Sequence, residues 1–232
     1  MISFKAPSDL LSAVRDSMPK GLLLPEEIVA ALDWLEARGH VLETRSGPYG
    51  LALSPDERTR GARSLAGAVF RPAPEQFSRY WLDSTDAAVT DRLASIVDTG
   101  GDGSSAGIWI DDDGRHRFVH LGSGSGSLWM SVMTDDPVDF LRLLAIGYDE
   151  LCWPEIHHLT PEQAYASEMG QGEGSADGWV APTAFRNWVE TTFKVAIPAT
   201  AREILPEPAD DQGNPKGDAF AQWLDQRRSE GP

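Results

Sequence analysis

Apolar positions recur along the first half of the chain with two different periods. Residues 8–17 place Leu10, Leu11 and Val14 at helical spacing after Pro7, and residues 25–39 do so more clearly. In the second segment Pro25 sits at the first turn, and Glu26 and Glu27 face the positive helix end. Ile28, Ala31, Leu32 and Leu35 form the inward stripe, and Gly39 closes the helix. Residues 41–53, broken by Ser46-Gly47-Pro48, predict a hairpin in which Tyr49, Leu51 and Leu53 alternate. Residues 68–70 predict a short strand, and residues 77–82 fit either period. Residues 86–97 read as a helix with Val89, Leu93, Ile96 and Val97 inward.

The centre has the clearest pattern. A turn cluster at 98–104 leads into a strand over 107–110, with Ile108 and Ile110 on one face. Asp111-Asp112-Asp113-Gly114 supplies an Asp-Gly hairpin turn, and residues 117–121 return with Val119 and Leu121 together. After a second turn at Gly122-Ser123-Gly124-Ser125-Gly126, the alternation of Leu128, Met130 and Val132 predicts another strand. Short loops require antiparallel pairing, because parallel strands need a long crossover. Pro137 then starts a helix to about residue 151, capped by Asp135 or Asp136, with Phe140, Leu141, Leu144, Ala145, Tyr148 and Leu151 on its apolar stripe. It should cover one face of the sheet.

Past Trp153 the pattern thins. Residues 170–178 read as a loop, 184–193 as a helix using Phe185, Trp188, Val189 and Thr192, and 206–217 as a Pro/Asp/Gly linker. Phe220, Trp223 and Leu224 mark a last short helix. These elements carry too few apolar residues for a core of their own. The chain therefore divides into an α+β domain over 1–153 and an extension over 154–232 docked on it.

Charge changes the picture most. With 36 acidic and 20 basic residues the formal net charge is −16. A folded chain of this size exposes about 10,000 Å², or about one excess negative charge per 600–700 Å². Such a surface repels nucleic acid and anionic membranes and draws basic partners. No apolar run is long enough to cross a membrane, and residues 1–4 do not begin like a secretory signal. Cys152 is the single cysteine, so no disulfide forms within the chain. These features lead us to expect a cytoplasmic protein.

Four constellations could carry chemistry. Gly103-Ser104-Ser105-Ala106-Gly107 matches the nucleophile-elbow pattern and would make Ser105 a nucleophile, with His116, His120, His157 or His158 as base. The elbow needs strand, turn and helix, whereas the predicted order is helix, turn and strand. The glycines at 122–126 precede a strand rather than a helix, so no phosphate cradle follows. Neither register of the acidic loops puts a glutamate at the twelfth position of a calcium loop. Cys152, Glu155, His157 and His158 lack the second cysteine pair of a structural zinc site. We therefore expect no catalytic residue, cofactor or metal. Asp111, Asp112 and Asp113 remain candidates for an acidic contact surface. Among eight tryptophans, Trp34, Trp109 and Trp188 fit core positions, while Trp129 opposes Leu128 and Met130. It is either covered by a second layer or exposed as a partner anchor.

The stretch Thr99-Gly-Gly-Asp-Gly-Ser-Ser-Ala-Gly-Ile-Trp-Ile-Asp-Asp-Asp-Gly resembles the SMI1/KNR4, or SUKH, superfamily. So do Phe118-Val-His-Leu-Gly-Ser-Gly-Ser-Gly-Ser and Asp136-Pro-Val-Asp-Phe-Leu-Arg-Leu-Leu-Ala-Ile-Gly-Tyr-Asp-Glu-Leu. The match covers about residues 98–153, and Phe185-Arg-Asn-Trp-Val-Glu-Thr-Thr-Phe is similar to the tail of such proteins. The resemblance implies an α+β fold with a curved, mainly antiparallel sheet backed by helices, and no catalytic residues. It implies structural roles for Gly103, Gly114, Gly122, Pro137, Phe140 and Leu141. Bacterial members are commonly immunity proteins against toxins of contact-dependent and other polymorphic systems, so the expected partner is a basic, cognate toxin domain. A general scaffold or regulatory module is the alternative, and a serine hydrolase the third reading.

Overall fold

In the computed structural model, which describes residues 9–60, 67–168 and 178–230, seven strands follow one another across a single sheet. Helices α1 (Leu10–Ser17) and α2 (Glu26–Ala37) open the chain, and β1 (Val41–Thr44) with β2 (Gly47–Leu51) forms the expected hairpin. Then come α3 (Pro55–Arg60), β3 (Val69–Phe70), α4 (Glu75–Leu82), α5 (Ala87–Thr90) and β4 (Leu93–Asp98). Strands β5 (Ser105–Ile110), β6 (His116–Leu121) and β7 (Val132–Thr134) complete the sheet. Helices α6 (Pro137–Ile146), α7 (Pro161–Glu168), α8 (Thr183–Phe193) and α9 (Ala219–Glu230) follow. Every strand pairs antiparallel with its sequence neighbour, in the order β1 to β7. The fold is α+β.

Helices cover both faces of this sheet. On the first face Ile28, Leu32 and Leu35 of α2, Phe140 and Leu144 of α6, and Phe185 and Val189 of α8 share one core with Phe70, Ile108 and Phe118. Phe118 and Phe140 stack with centroids 4.2 Å apart, which fixes α6 against β6. Burying each large aliphatic side chain contributes about 2 kcal/mol, so packing rather than helix propensity holds these helices. On the second face Trp81 and Leu82 of α4 and Phe220, Trp223 and Leu224 of α9 pack on Leu93, Trp109, Val119 and Leu121. Trp109 lies 5.1 Å from Phe220 and 5.4 Å from Trp223. The segment beyond residue 153 therefore contributes to both cores. The loop expected at 170–178 falls outside the described residues except for Gly178.

Three sequence expectations need correction. Residues 86–97 are not one helix: α5 stops at Thr90 and β4 begins at Leu93. The strand is buried on both faces, with Leu93 in the second core and Ala94, Ile96 and Val97 in the first. A register shift between Ser95 and Val97 further breaks its alternation. Such an apolar run carries no period-2 signal and imitates helical spacing. Helix α6, capped by Asp136 as anticipated, ends at Ile146 rather than near 151. Gly147 turns the chain with φ +94°, and a Cβ there would lie 2.4 Å from Pro182 Cδ. Tyr148 and Leu151 still reach the core, but from a loop. The last strand is also short, because residues 127–131 run irregularly before β7.

Candidate functional site

The two glycine-serine turns, at 98–104 and 122–127, lie against each other with the Asp102 carboxylate between them. It accepts hydrogen bonds from the Ser104 amide (2.9 Å) and hydroxyl (2.9 Å), the Ser123 hydroxyl (2.8 Å) and the Ser127 amide (2.9 Å). Burial opposes its charge, yet these donors hold the carboxyl below its ordinary range. A Cβ on Gly126 would come within 2.5 Å of Asp102 Oδ2, so the close approach of the turns requires that glycine. The serines and glycines thus satisfy a carboxylate and leave no anion cradle.

Glu150 and Cys152 approach the same place, and with Asp102 they offer three potential metal ligands within 4.8 Å of one another. The chemistry fits a metal poorly. Burial and the neighbouring Asp102 and Glu150 push the Cys152 thiol far up, so it stays protonated and donates to Glu150. Glu150 also accepts from the Gly101 amide at 2.8 Å, and the Asp102 oxygens already serve four donors.

Ser105 begins β5 after β4 and a turn, so its setting is strand, turn and strand, not the expected helix, turn and strand. It is fully buried. Its hydroxyl accepts from Arg71 Nη2 (2.8 Å) and donates to Asp98 Oδ1 (3.2 Å). Arg71 also binds Asp98 (2.5 Å), the Ser95 hydroxyl (2.9 Å) and the Ser95 carbonyl (3.1 Å). This ionic knot, with Arg71 buried and Asp98 reaching the surface, ties β3 to β4 and β5. Of the four histidines considered as its base, His120 donates from Nδ1 to the Trp129 carbonyl (2.9 Å), which leaves Nε2 to accept from Thr99 (3.0 Å). His157 donates to the Leu151 carbonyl at 2.9 Å. Neither bonds to Ser105.

Trp129 is covered by a second layer. It is 3% exposed, stacks on His120 at 4.1 Å and meets the edge of His157 at 4.9 Å. It offers a partner no surface, which corrects the anchor reading. Leu128, expected inward, is instead 52% exposed, because the second core takes in Met130 and Val132 on that face and does not extend to it. Asp111 is also misplaced as a contact residue. It is 8% exposed and binds the Asp113 and Arg115 amides and Arg117 Nε. Asp112 and Asp113 are exposed, but each has an arginine partner, Arg92 at 2.7 Å and Arg115 at 3.2 Å.

A different surface lies beside the glycine-serine turns. Clefts of about 400 Å³ and about 320 Å³ open on either side of Leu128 and share Leu128, Asp210 and Gln212 as a wall. Tyr80, 66% exposed, flanks the first, with its hydroxyl donating to the Ser123 carbonyl at 3.0 Å. Asp225 lines the first cleft, and Glu155 and Asp211 line the second. The 210–214 loop is fixed: the Asp210 carboxylate accepts from the amides of Gln212 and Asn214 and from the Asn214 side chain, and Asn214 accepts from the Met130 amide. The Asp210-Asp211-Gln212-Gly213-Asn214 turn was visible in the sequence only as linker composition. Compared with family models, with curated proteins and with solved structures, the chain matches none of them.

Proposed function

We propose that this chain is a non-catalytic protein-binding protein of the SMI1/KNR4 type, an immunity protein that neutralises a basic toxin domain. The observation that carries this reading is a division of labour among its polar groups. Five of the groups with reactive potential (Ser105, Cys152, His120, His157 and Asp102) are committed to internal hydrogen bonds, whereas the buried His116 Nε2 has no hydrogen-bond partner among the described residues. Most of the charge excess of −16 is left for the surface, since among the described residues only Glu57, Asp111, Asp149 and Asp218, against Arg71, are buried. A strongly acidic surface accelerates encounter with a basic protein and disfavours nucleic acid. The resemblance over residues 98–153 supports the same reading. No helix among the described residues is long and apolar enough to cross a membrane.

The test is association with the product of the adjacent gene, followed by stopped-flow mixing at increasing salt. The association rate constant is expected to fall at least about tenfold between about 0.02 M and about 0.3 M salt, while the partner's toxicity is suppressed. A neighbouring toxin that neither binds nor is neutralised would refute the immunity reading. Recovery of stable intracellular complexes without any toxin, by pulldown from the native host, would favour the scaffold alternative.

A further inference from the structure

We propose that the two clefts astride Leu128 form one docking surface for a basic loop of the protein partner. Lysine or arginine side chains enter the clefts, and an aliphatic side chain rests on Leu128. The inference deepens the protein-binding reading and rests on it.

Charge complementarity selects this place. Glu155, Asp211 and Asp225 are exposed, and among the described residues they form no ion pair and no Lys or Arg lines either cleft. At the 111–114 turn, by contrast, each aspartate already holds an arginine, so an incoming cation would have to displace one. The three cleft carboxylates also do not converge. The one grouping of potential metal ligands among the described residues is Asp102, Glu150 and Cys152. Spread carboxylates suit several cationic side chains of one macromolecule better than a single ion.

The surface is already in its binding shape. Leu128 is held between Ser127 and Trp129, each 3% exposed. Tyr80 is pinned through its hydroxyl, and Trp81 Nε1 donates to the Gly122 carbonyl at 2.9 Å. Two exposed apolar side chains on a frame this rigid lose little conformational freedom on binding. The lysine and arginine stems can cover Tyr80 and Leu128 while their heads reach the acids.

The edge of the sheet here is closed to strand addition. The Met130 and Val132 amides are satisfied by Asn214 Oδ1 (3.1 Å) and Asp218 Oδ2 (2.9 Å). Side chains must therefore carry recognition.

The full chain, labelled with ¹⁵N, is titrated with the peptide acetyl-Arg-Ala-Leu-Ala-Lys-amide and with acetyl-Glu-Ala-Leu-Ala-Glu-amide. The basic peptide should shift the amides of Gly124, Gly126, Leu128 and Gln212, and the acidic one should not. Leu128→Glu combined with Asp211→Lys and Asp225→Lys should weaken the basic peptide at least tenfold with an unchanged urea midpoint. Shifts centred on the 111–114 turn, scattered shifts, no shifts, or a variant that binds as before would overturn the surface. The neighbouring-gene product separates the two claims. Full binding of that product to the triple variant discards the surface and keeps the function. Failure of that product to bind the unmodified chain discards the function, and the peptide map still decides the surface.

Discussion

Acidification from pH 7.5 to 5.5 should destabilise this protein through its buried imidazoles: His120 and His157 carry the largest shifts, and burial lowers His40 in the same direction. His120 is fully buried and His157 is 1% exposed, and both pack against the Trp129 ring. Burial lowers His120 to about 4, against the partial help of the Trp129 carbonyl and Asp102. Burial likewise lowers His157 to about 3, and the nearby Arg202, His120 and His158 reinforce the shift. The unfolded chain therefore binds protons first, from its ordinary value of 6.5 downward. The stability these groups contribute is complete above pH 6.5. It is lost progressively below that, until the folded values near 4 and 3 are reached. Each imidazole costs about 1.4 kcal/mol per pH unit once well below 6.5. Integrated from pH 7.5 to 5.5, the pair removes about 3 kcal/mol from a total of about 5–15 kcal/mol. Carboxylates held low, such as Asp102 and Asp111, do not titrate in this window. Asp218, raised by burial, works in the opposite sense, so an imidazole-specific control is needed. Urea unfolding at pH 7.5, 6.5 and 5.5 measures the loss in the unmodified chain. The His157→Gln variant, whose amide can still donate to the Leu151 carbonyl, should show a loss smaller by about 1.4 kcal/mol. A stability that stays level or rises toward pH 5.5, or a slope that His157→Gln does not change, would refute the argument.

Other perturbations separate structural from surface roles. Asp102→Ala strands four donors and should cost about 3 kcal/mol or more in urea unfolding; a neutral result would mean that water replaces the carboxylate. Arg71→Met removes the charge partner of Asp98, whose side chain is 36% exposed, together with hydrogen bonds to the buried Ser95 and Ser105 hydroxyls, with an expected loss of about 1–3 kcal/mol in urea unfolding. Trp129→Ala should cost about 3–5 kcal/mol, whereas Asp112→Ala and Asp113→Ala should each cost under about 1 kcal/mol. Equal effects would undo the assignment of Trp129 to the core. Truncation after residue 217 removes α9 and uncovers Trp109; it should raise binding of an apolar dye and reduce the near-ultraviolet dichroism. An unchanged spectrum would show that α9 does not seal the second face.

Legibility in the sequence followed the number of buried faces. The hairpin at 41–51, the Asp-Gly turn at 111–114 and the amphipathic α2 each have one exposed side, so their polar positions declare the period. Strand β4 has none, and its consecutive buried residues Leu93, Ala94, Ser95, Ile96 and Val97 passed for helix. The second helical layer was hidden for the same kind of reason. Phe220, Trp223 and Leu224 were readable as a helix, but nothing local says that Trp109, Val119 and Leu121 wait beneath them. That pairing joins residues about a hundred positions apart, and only the assembled sheet brings them together.

The candidate surface was less legible, because chemistry-bearing residue types and their availability are separate properties. The serines, the lone cysteine, the histidines and the aspartates of the 111–113 run drew attention by type. Folding consumes most of them: Ser105 by Arg71, Cys152 by Glu150, Asp111 by Arg117 and two amides. Among the groups that stay available are the carboxylates of Glu155, Asp211 and Asp225 and the exposed faces of Leu128 and Tyr80. These come from α4, the 122–131 loop, the short 3-10 turn Pro154–Ile156 and the last linker and helix, so no contiguous motif could have announced them. Leu128 shows the physical reason most directly. Period-2 alternation puts it on the face of Met130 and Val132, and there it stays, but the second core reaches only as far as those two residues. Leu128 is left facing solvent, with acids on both sides and nothing among the described residues to cover it.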